Sequence, residues 1–199
     1  MMGKGNSDNV FIACIKIVKS RLSNERFKHS LNVANEAKRL AKRYGMDPQK
    51  AEIAGILHDI FKEAPREEHL QILNRFGIIL TDIEKKSFKL WHAITGSAYV
   101  KHVLHIKDID IYNAIRYHTS ARGGMSLLEK IVFVADFTSK DRNYGDVDRI
   151  REDATISLEK AMRSGLKYTI RELLSKNLPI DPGSIAAYNE LVLKKFREI

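Results

Sequence analysis

Two adjacent residues of ligand type, His58-Asp59, close the apolar run Ile53-Ala54-Gly55-Ile56-Leu57. Neighbours on a regular helix diverge by about 100°, so adjacent ligands converge on one ion best where a helix ends and the backbone turns. The stretch Ile60-Phe61-Lys62-Glu63-Ala64-Pro65 supplies such an ending. A second carboxylate, Asp136, sits within Ile131-Val132-Phe133-Val134-Ala135-Asp136-Phe137. Placed there it needs a cation or several hydrogen bonds, because burying a carboxylate unpaired costs several kcal/mol or keeps it protonated. His29 lies one turn after Glu25 beside an apolar stripe, and His92 and His118 follow Leu90-Trp91 and Ala114-Ile115-Arg116-Tyr117. Singly, each histidine also fits a hydrogen-bonded core residue, and each aspartate a cap or an ion pair. Together, His29, His58, Asp59, His92, His118 and Asp136 offer imidazoles and carboxylates in a mixture that suits iron, manganese or zinc. Calcium and magnesium prefer all-oxygen shells. A carboxylate such as Asp59 can bridge two ions, and two ions about 3.5–4 Å apart would acidify a shared water and clamp the oxygens of an in-line displacement. His69, His102 and His105 stand among charged or exposed-looking neighbours and fall outside the set.

The elements that must hold these residues are helices. Apolar positions recur at helical spacing almost throughout. From Phe27 the stripe Leu31, Ala34, Ala37, Leu40 and Ala41 ends at Tyr44-Gly45, and Asp47-Pro48 reads as an N-cap and first turn of a helix through Ala51, Ala54 and Leu57. Pro65 starts another, through Leu70 and Leu73 towards Gly77. Further helices are predicted over 82–90, 92–104, 109–118, 126–139, 147–175 with a break at Gly165, and 184–197. The last is a packing helix on Ile185, Tyr188, Leu191, Val192 and Phe196. The expectation is an all-α bundle of some eight to ten helices with short connections, and without linker or repeat to divide residues 1–199.

Composition narrows the chemistry further. The chain has 199 residues, of which 44% are hydrophobic and 30% charged, enough for a core without disulfides. Its one cysteine, Cys14, excludes an internal disulfide and any cysteine-based zinc site. The apolar run Val10–Val18 is preceded by Asp8 and interrupted by Lys16, so it makes a poor signal peptide, and no run approaches the roughly 20 residues that span a bilayer. A cytoplasmic location without membrane contact is expected. The net charge of +9 allows an anionic partner, yet the basic residues are scattered without interleaved exposed aromatics, which argues against nucleic acid. Neither a phosphate-binding Gly-rich loop nor a nucleophile elbow is present.

The order His29, His58-Asp59, Asp136 resembles the H…HD…D signature of the HD-domain metal-dependent phosphohydrolases. Phe27-Lys28-His29-Ser30-Leu31, Ala54 to Glu63, Trp91-His92-Ala93-Ile94-Thr95-Gly96, Ala114 to Thr119 and Met125 to Asp136 extend the likeness over residues 25–165. They are similar to the YqeK family, the HD-domain symmetrical bis(5′-nucleosyl)-tetraphosphatases of bacteria. The resemblance implies a single-domain HD-type helical bundle with a dinuclear divalent or mixed-valence centre. Iron is expected first, with manganese, cobalt, nickel or zinc as alternatives. His29, His58, Asp59 and Asp136 would be the HD ligands, with His92 and His118 completing the second ion's shell. It further implies that diadenosine tetraphosphate is cleaved to two ADP by hydroxide on the ions, with Asp59, Lys62 and Arg142 as catalytic residues. Arg122 is a further phosphate contact or a plain surface arginine. The chain departs from the pattern at His118-Thr119-Ser120-Ala121-Arg122 and in lacking a Glu-Pro pair before Arg142, positions that bear on substrate contacts rather than on the ligands. Rival expectations are phosphate removal from nucleoside mono- or diphosphates and non-catalytic nucleotide binding; a homodimer is left open.

Overall fold

Short polar caps in the sequence start six of the described helices. The computed structural model describes residues 4–197, and side chains over 9–194, as eleven α-helices and one 3-10 turn. These are α1 (Lys4–Arg21), α2 (Asn24–Tyr44), α3 (Pro48–Leu57), α4 (Arg66–Arg75), α5 (Asp82–Lys86), α6 (Trp91–His102), α7 (Ile109–Tyr117), α8 (Leu127–Thr138), α9 (Val147–Ile156), α10 (Leu158–Ser175) and α11 (Pro182–Arg197). No strand occurs among the described residues, as the helical spacing predicts. Ser23 caps α2 by accepting from the Arg26 N–H, and Asp47 caps α3 at the Gln49 and Lys50 N–H groups. Thr81 with Glu84, and Ser126 with Glu129, close reciprocal capping boxes on α5 and α8. Each such cap is worth about 1 kcal/mol.

The core lies where α2, α3, α7 and α8 pack on one another. α1 covers α3, α6 covers α7, and α9 and α10 cover α8. Leu57, Phe61, Ile115, Leu128, Ile131 and Phe133 are wholly or almost wholly buried there. The α2–α3 contact is the closest: a Cβ on Gly55 would stand 2.8 Å from the Ala34 Cα and 3.1 Å from the Val33 carbonyl oxygen. Only glycine admits that approach, and it brings the helix carrying His29 against the helix that ends at His58.

Several boundaries differ from the sequence reading, each for a local reason. The segment 147–175 breaks at Ser157, whose backbone is extended (φ −154°, ψ 137°) and whose hydroxyl accepts from the Lys160 N–H. α10 runs unbroken through Gly165, where the missing side chain admits Phe133 and Phe137. The expected 82–90 helix stops at Lys86, and Ser87 (φ −110°, ψ 74°) leads into a separate 3-10 turn over Phe88–Leu90. The run Val10–Val18 lies in α1, with Cys14 and Val18 buried. In α11, Leu191 is buried but Ile185 is 38% exposed, its place on the core taken by Ala187; the side chain of Phe196 lies outside the described residues. None of the described helices is long and apolar enough to cross a membrane.

Candidate metal centre

α3 ends at Leu57, so His58 is its C-terminal cap and Asp59 belongs to a run of tight turns. The Ile60, Lys62 and Ala64 N–H groups donate in turn to the carbonyls of Leu57, Asp59 and Phe61. This winding lets adjacent side chains face one point, the arrangement an unbroken helix forbids. His118 caps α7 in the same way, His92 lies at the start of α6, His29 in the first half of α2, and Asp136 near the end of α8. Five different elements therefore aim at one spot between them. Three overlapping groups of donors lie with their ligand atoms within 4.8 Å: His29, His58 and Asp59; His58, His118 and Asp136; Asp59, His92 and His118. Asp59 belongs to two of the three.

The hydrogen bonds fix which nitrogen points inward. His58 donates Nδ1–H to the Gly55 carbonyl at 2.7 Å, and His118 donates Nδ1–H to the Ile115 carbonyl at 2.7 Å. His29 Nδ1 lies 2.7 Å from Asp141 Oδ2, whose other oxygen accepts from Asn32 at 2.9 Å. With Nδ1 committed outward, the inward Nε2 atoms are left as acceptors, the orientation that metal-ligating histidines need. His29 Nε2, His58 Nε2 and Asp59 Oδ1 are buried and make no hydrogen bond of good geometry. His92 Nε2 and His118 Nε2 face one another at 3.1 Å, and both approach Asp59 Oδ1, at 3.0 and 3.4 Å. Buried lone pairs gathered with too few protons between them are costly unless a cation sits among them. The donor set fits a transition-metal site on these grounds.

The electrostatics agree. Burial pushes the imidazole of His58 down to about 3 and that of His92 down to about 4, so both are neutral near pH 7. Burial opposes ionisation of Asp59, but His58, His118, His92 and Lys62 outweigh it and hold the carboxyl well below the usual range. Asp136 is held low in the same way, with burial outweighed chiefly by Arg142 and His29. His29 goes the other way: Asp136 and Asp141 outweigh its burial and pull it above its ordinary value. Its Nε2 stands 3.1 Å from Asp136 Oδ1, so a proton and a metal compete for this nitrogen.

Lys62 lies at the edge of the cluster, its Nζ 3.4 Å from Asp59 Oδ1 and 3.2 Å from His92 Nε2, with its side chain 31% exposed. Arg142 donates through Nε to the Asp136 carbonyl at 2.7 Å and through Nη2 to the Asp136 carboxylate, so its fork is largely committed. Arg122 lies elsewhere, paired bidentately with the wholly buried Glu129 at 2.7 and 2.8 Å. The structure thus makes it an internal ion-pair partner. His69, expected among exposed neighbours, is 2% exposed, with Nδ1 hydrogen-bonded to the Thr95 hydroxyl at 2.7 Å. It is a core histidine at i−3 and i−4 from buried Ile72 and Leu73, a spacing visible in the sequence. Sequence reasoning also passed over Arg26, 3.3 Å from Asp59 Oδ2. Its place three residues before His29 on α2 is a usable signal. Asp141, flanked by Lys140 and Arg142 in a loop, carries none.

A helical layer that brings histidines and aspartates from five elements to one buried point defines a class of metal-dependent hydrolase sites. The family model described as "HD domain" matches residues 26–141. A Bacillus subtilis protein named symmetrical bis(5′-nucleosyl)-tetraphosphatase is 41% identical over 181 residues, covering 91% of this chain and 95% of its own. A Staphylococcus aureus protein of the same name is 32% identical over 87% of this chain and 90% of its own. A crystal structure from Clostridium acetobutylicum, described as a predicted HD superfamily hydrolase involved in NAD metabolism, superposes with a TM-score of 0.88 at 35% identity, covering 92% and 97% of the two chains. The chain belongs to the HD-domain family, in the branch of the symmetrical bis(5′-nucleosyl)-tetraphosphatases.

Proposed function

We propose that this protein hydrolyses dinucleoside polyphosphates, cleaving diadenosine tetraphosphate symmetrically to two ADP. The observation that carries the reading is the convergence of ligand atoms from His29, His58, Asp59, His92, His118 and Asp136 on one buried point, in a chain 41% identical over 91% of its length to a protein of that name. His29, His58, Asp59 and Asp136 would hold one ion and Asp59, His92 and His118 a second, with iron expected first and manganese, cobalt, nickel or zinc able to replace it. Two bound divalent or mixed-valence ions supply charge neutralisation on the central phosphates and a water of lowered pKa. The reaction takes place in the cytoplasm.

The chain's own residues account for the rest. Water adds across the central P–O–P linkage, so one ADP gains the water oxygen and the other leaves with the bridging oxygen. Charge builds on the equatorial oxygens of the attacked phosphorus, and a fixed cation there stabilises the transition state more than the ground state. Lys62, one-third exposed beside Asp59, is the first such cation. Arg26, 35% exposed and 3.3 Å from Asp59 Oδ2, is the second. Arg142 spends its donors on Asp136, holding that carboxylate ionised and oriented and keeping its own charge beside the phosphates. Outward Nδ1–H bonds of His29, His58 and His118 prevent the imidazoles from turning their protons inward.

Incubating the metal-loaded protein with diadenosine tetraphosphate and resolving the products tests this. ADP alone is the expected product. AMP plus ATP overturns the symmetrical cut, and phosphate release from nucleoside mono- or diphosphates with the dinucleotide untouched assigns the protein to another HD-type reaction. Metal-loaded protein that binds nucleotide and hydrolyses none of them makes it a binder.

A further inference from the structure

Two clefts adjoin the cluster. A cleft of about 700 Å³ opens on the side of His29 and Asp136, with Arg26, Lys28 and Arg142 on its walls beside Phe137, Tyr144 and Tyr168. A second cleft, of about 360 Å³, has a different character: Phe88, Leu90, Leu173 and Leu178 wall it, and Lys86 and Lys89 stand at its rim. Both volumes fall in the range of small-molecule sites, about 300–1,000 Å³. The clefts share Thr169. The second also reaches the cluster through Thr119, whose Oγ1 is 3.0 Å from His118 Nε2 and 3.4 Å from His92 Nε2. His29 and Asp136 thus line the first cleft, and the second reaches His118 and His92 through Thr119.

We infer that the second cleft is a second nucleoside subsite, which holds one base and ribose of a dinucleoside tetraphosphate while the larger cleft holds the other half. The inference rests on the hydrolase reading above. Its occupant follows from the geometry of such a substrate: two identical nucleosides at the ends, four phosphates between them, and the bond to be cut at the midpoint. A site anchored at one end alone registers the cut by counting phosphates from that end and gains nothing from the distal nucleoside. Anchors on both sides of the metal cluster centre the scissile bond. Every turnover also generates two ADP, and each needs a place to sit before it leaves. The chemistry of the walls fits a base. Phe88 and Leu178 keep 46% and 44% of their surface exposed, an apolar patch that a purine face would cover. Lys86 and Lys89 suit the adjoining phosphates, and Thr119 and Asp181 on the same walls offer a hydroxyl and a carboxylate to ribose or base edges.

Equilibrium dialysis of the metal-loaded full chain against labelled ADP, with steady-state kinetics on diadenosine tetraphosphate and adenosine 5′-tetraphosphate, tests the inference. Wild type should bind two ADP per chain and prefer the dinucleotide. Leu173→Arg, which puts a long polar side chain into the cleft, should bind one, and its kcat/KM ratio of dinucleotide to mononucleotide should fall at least tenfold, mainly through KM. Leu178→Asp, at an exposed position, is the second variant should Leu173→Arg not fold. One ADP per chain in wild type, or an unchanged substrate ratio in a folded variant, overturns the subsite while leaving the hydrolase reading intact. Failure of wild type itself to cut diadenosine tetraphosphate overturns both, and is told apart because no variant is involved.

Discussion

Asp141→Ala should weaken metal binding through His29 without touching a metal. The Asp141 carboxylate lies 2.7 Å from His29 Nδ1 and is itself steadied by Asn32 at 2.9 Å. Removing such an outer carboxylate from a metal-bound histidine costs about 10- to 100-fold in affinity, or about 1.4–2.8 kcal/mol. Asp141 has 33% of its side chain exposed, so water can replace part of the lost acceptor, and the lower half of the range is expected, about 10- to 30-fold. Asp141→Asn keeps an oxygen for the Nδ1–H but not the charge, and should cost about half as much in free energy, as neutral hydrogen bonds do relative to charged ones. The assay is competition for zinc or cobalt against a chromophoric chelator at fixed pH, with thermal melting of the apoprotein as a control. The apoprotein should lose less than about 1 kcal/mol, because a partly exposed ion pair contributes little. A double-mutant cycle makes the reasoning refutable: once His29 is Ala, Asp141→Ala should cost nothing further. An equal loss in both backgrounds, or an affinity unchanged within twofold in the single variant, would show that Asp141 does not act by orienting His29.

Two further outcomes follow from packing and pairing. Gly55→Ala puts a Cβ 2.8 Å from the backbone of Ala34, which only a separation of α2 and α3 relieves; urea unfolding should show a loss of about 1–3 kcal/mol, and metal affinity should fall as well because His29 and His58 move apart. Arg122→Leu removes the partner of wholly buried Glu129, which keeps its capping bonds to Ser126; a loss of about 1–3 kcal/mol in the same unfolding assay is expected, while kcat/KM below the melting temperature should stay within threefold, since Arg122 faces neither cleft.

What could be read from the sequence divides along a physical line. Caps and ligand pairs are local, and local features were legible: Asp47-Pro48 starts α3, and His58-Asp59 lies at a helix end. The Ser157 break is also local, yet Gly165 attracts the expected break because glycine in a helix suggests weakness. In the fold Gly165 serves close packing against Phe133 and Phe137, while the N-cap pattern at Ser157 had the stronger claim. Asp141 and the second cleft depend on which loop meets which helix across roughly a hundred residues, and no spacing encodes that. Charge shows the limit most sharply. The net +9 suggested cations for an anionic substrate, but a sum cannot say which are free. Arg122 is spent on Glu129 and Arg142 largely on Asp136. Arg26 and Lys62 share Asp59 yet keep about a third of their side chains exposed. If an anionic phosphate chain enters beside Asp59, those two can turn to it, at the cost of a contact to a carboxylate that metal ions would then neutralise. On the proposed reading it is the partition of pairing between protein and substrate, rather than the excess of positive charge, that would make this a phosphate site.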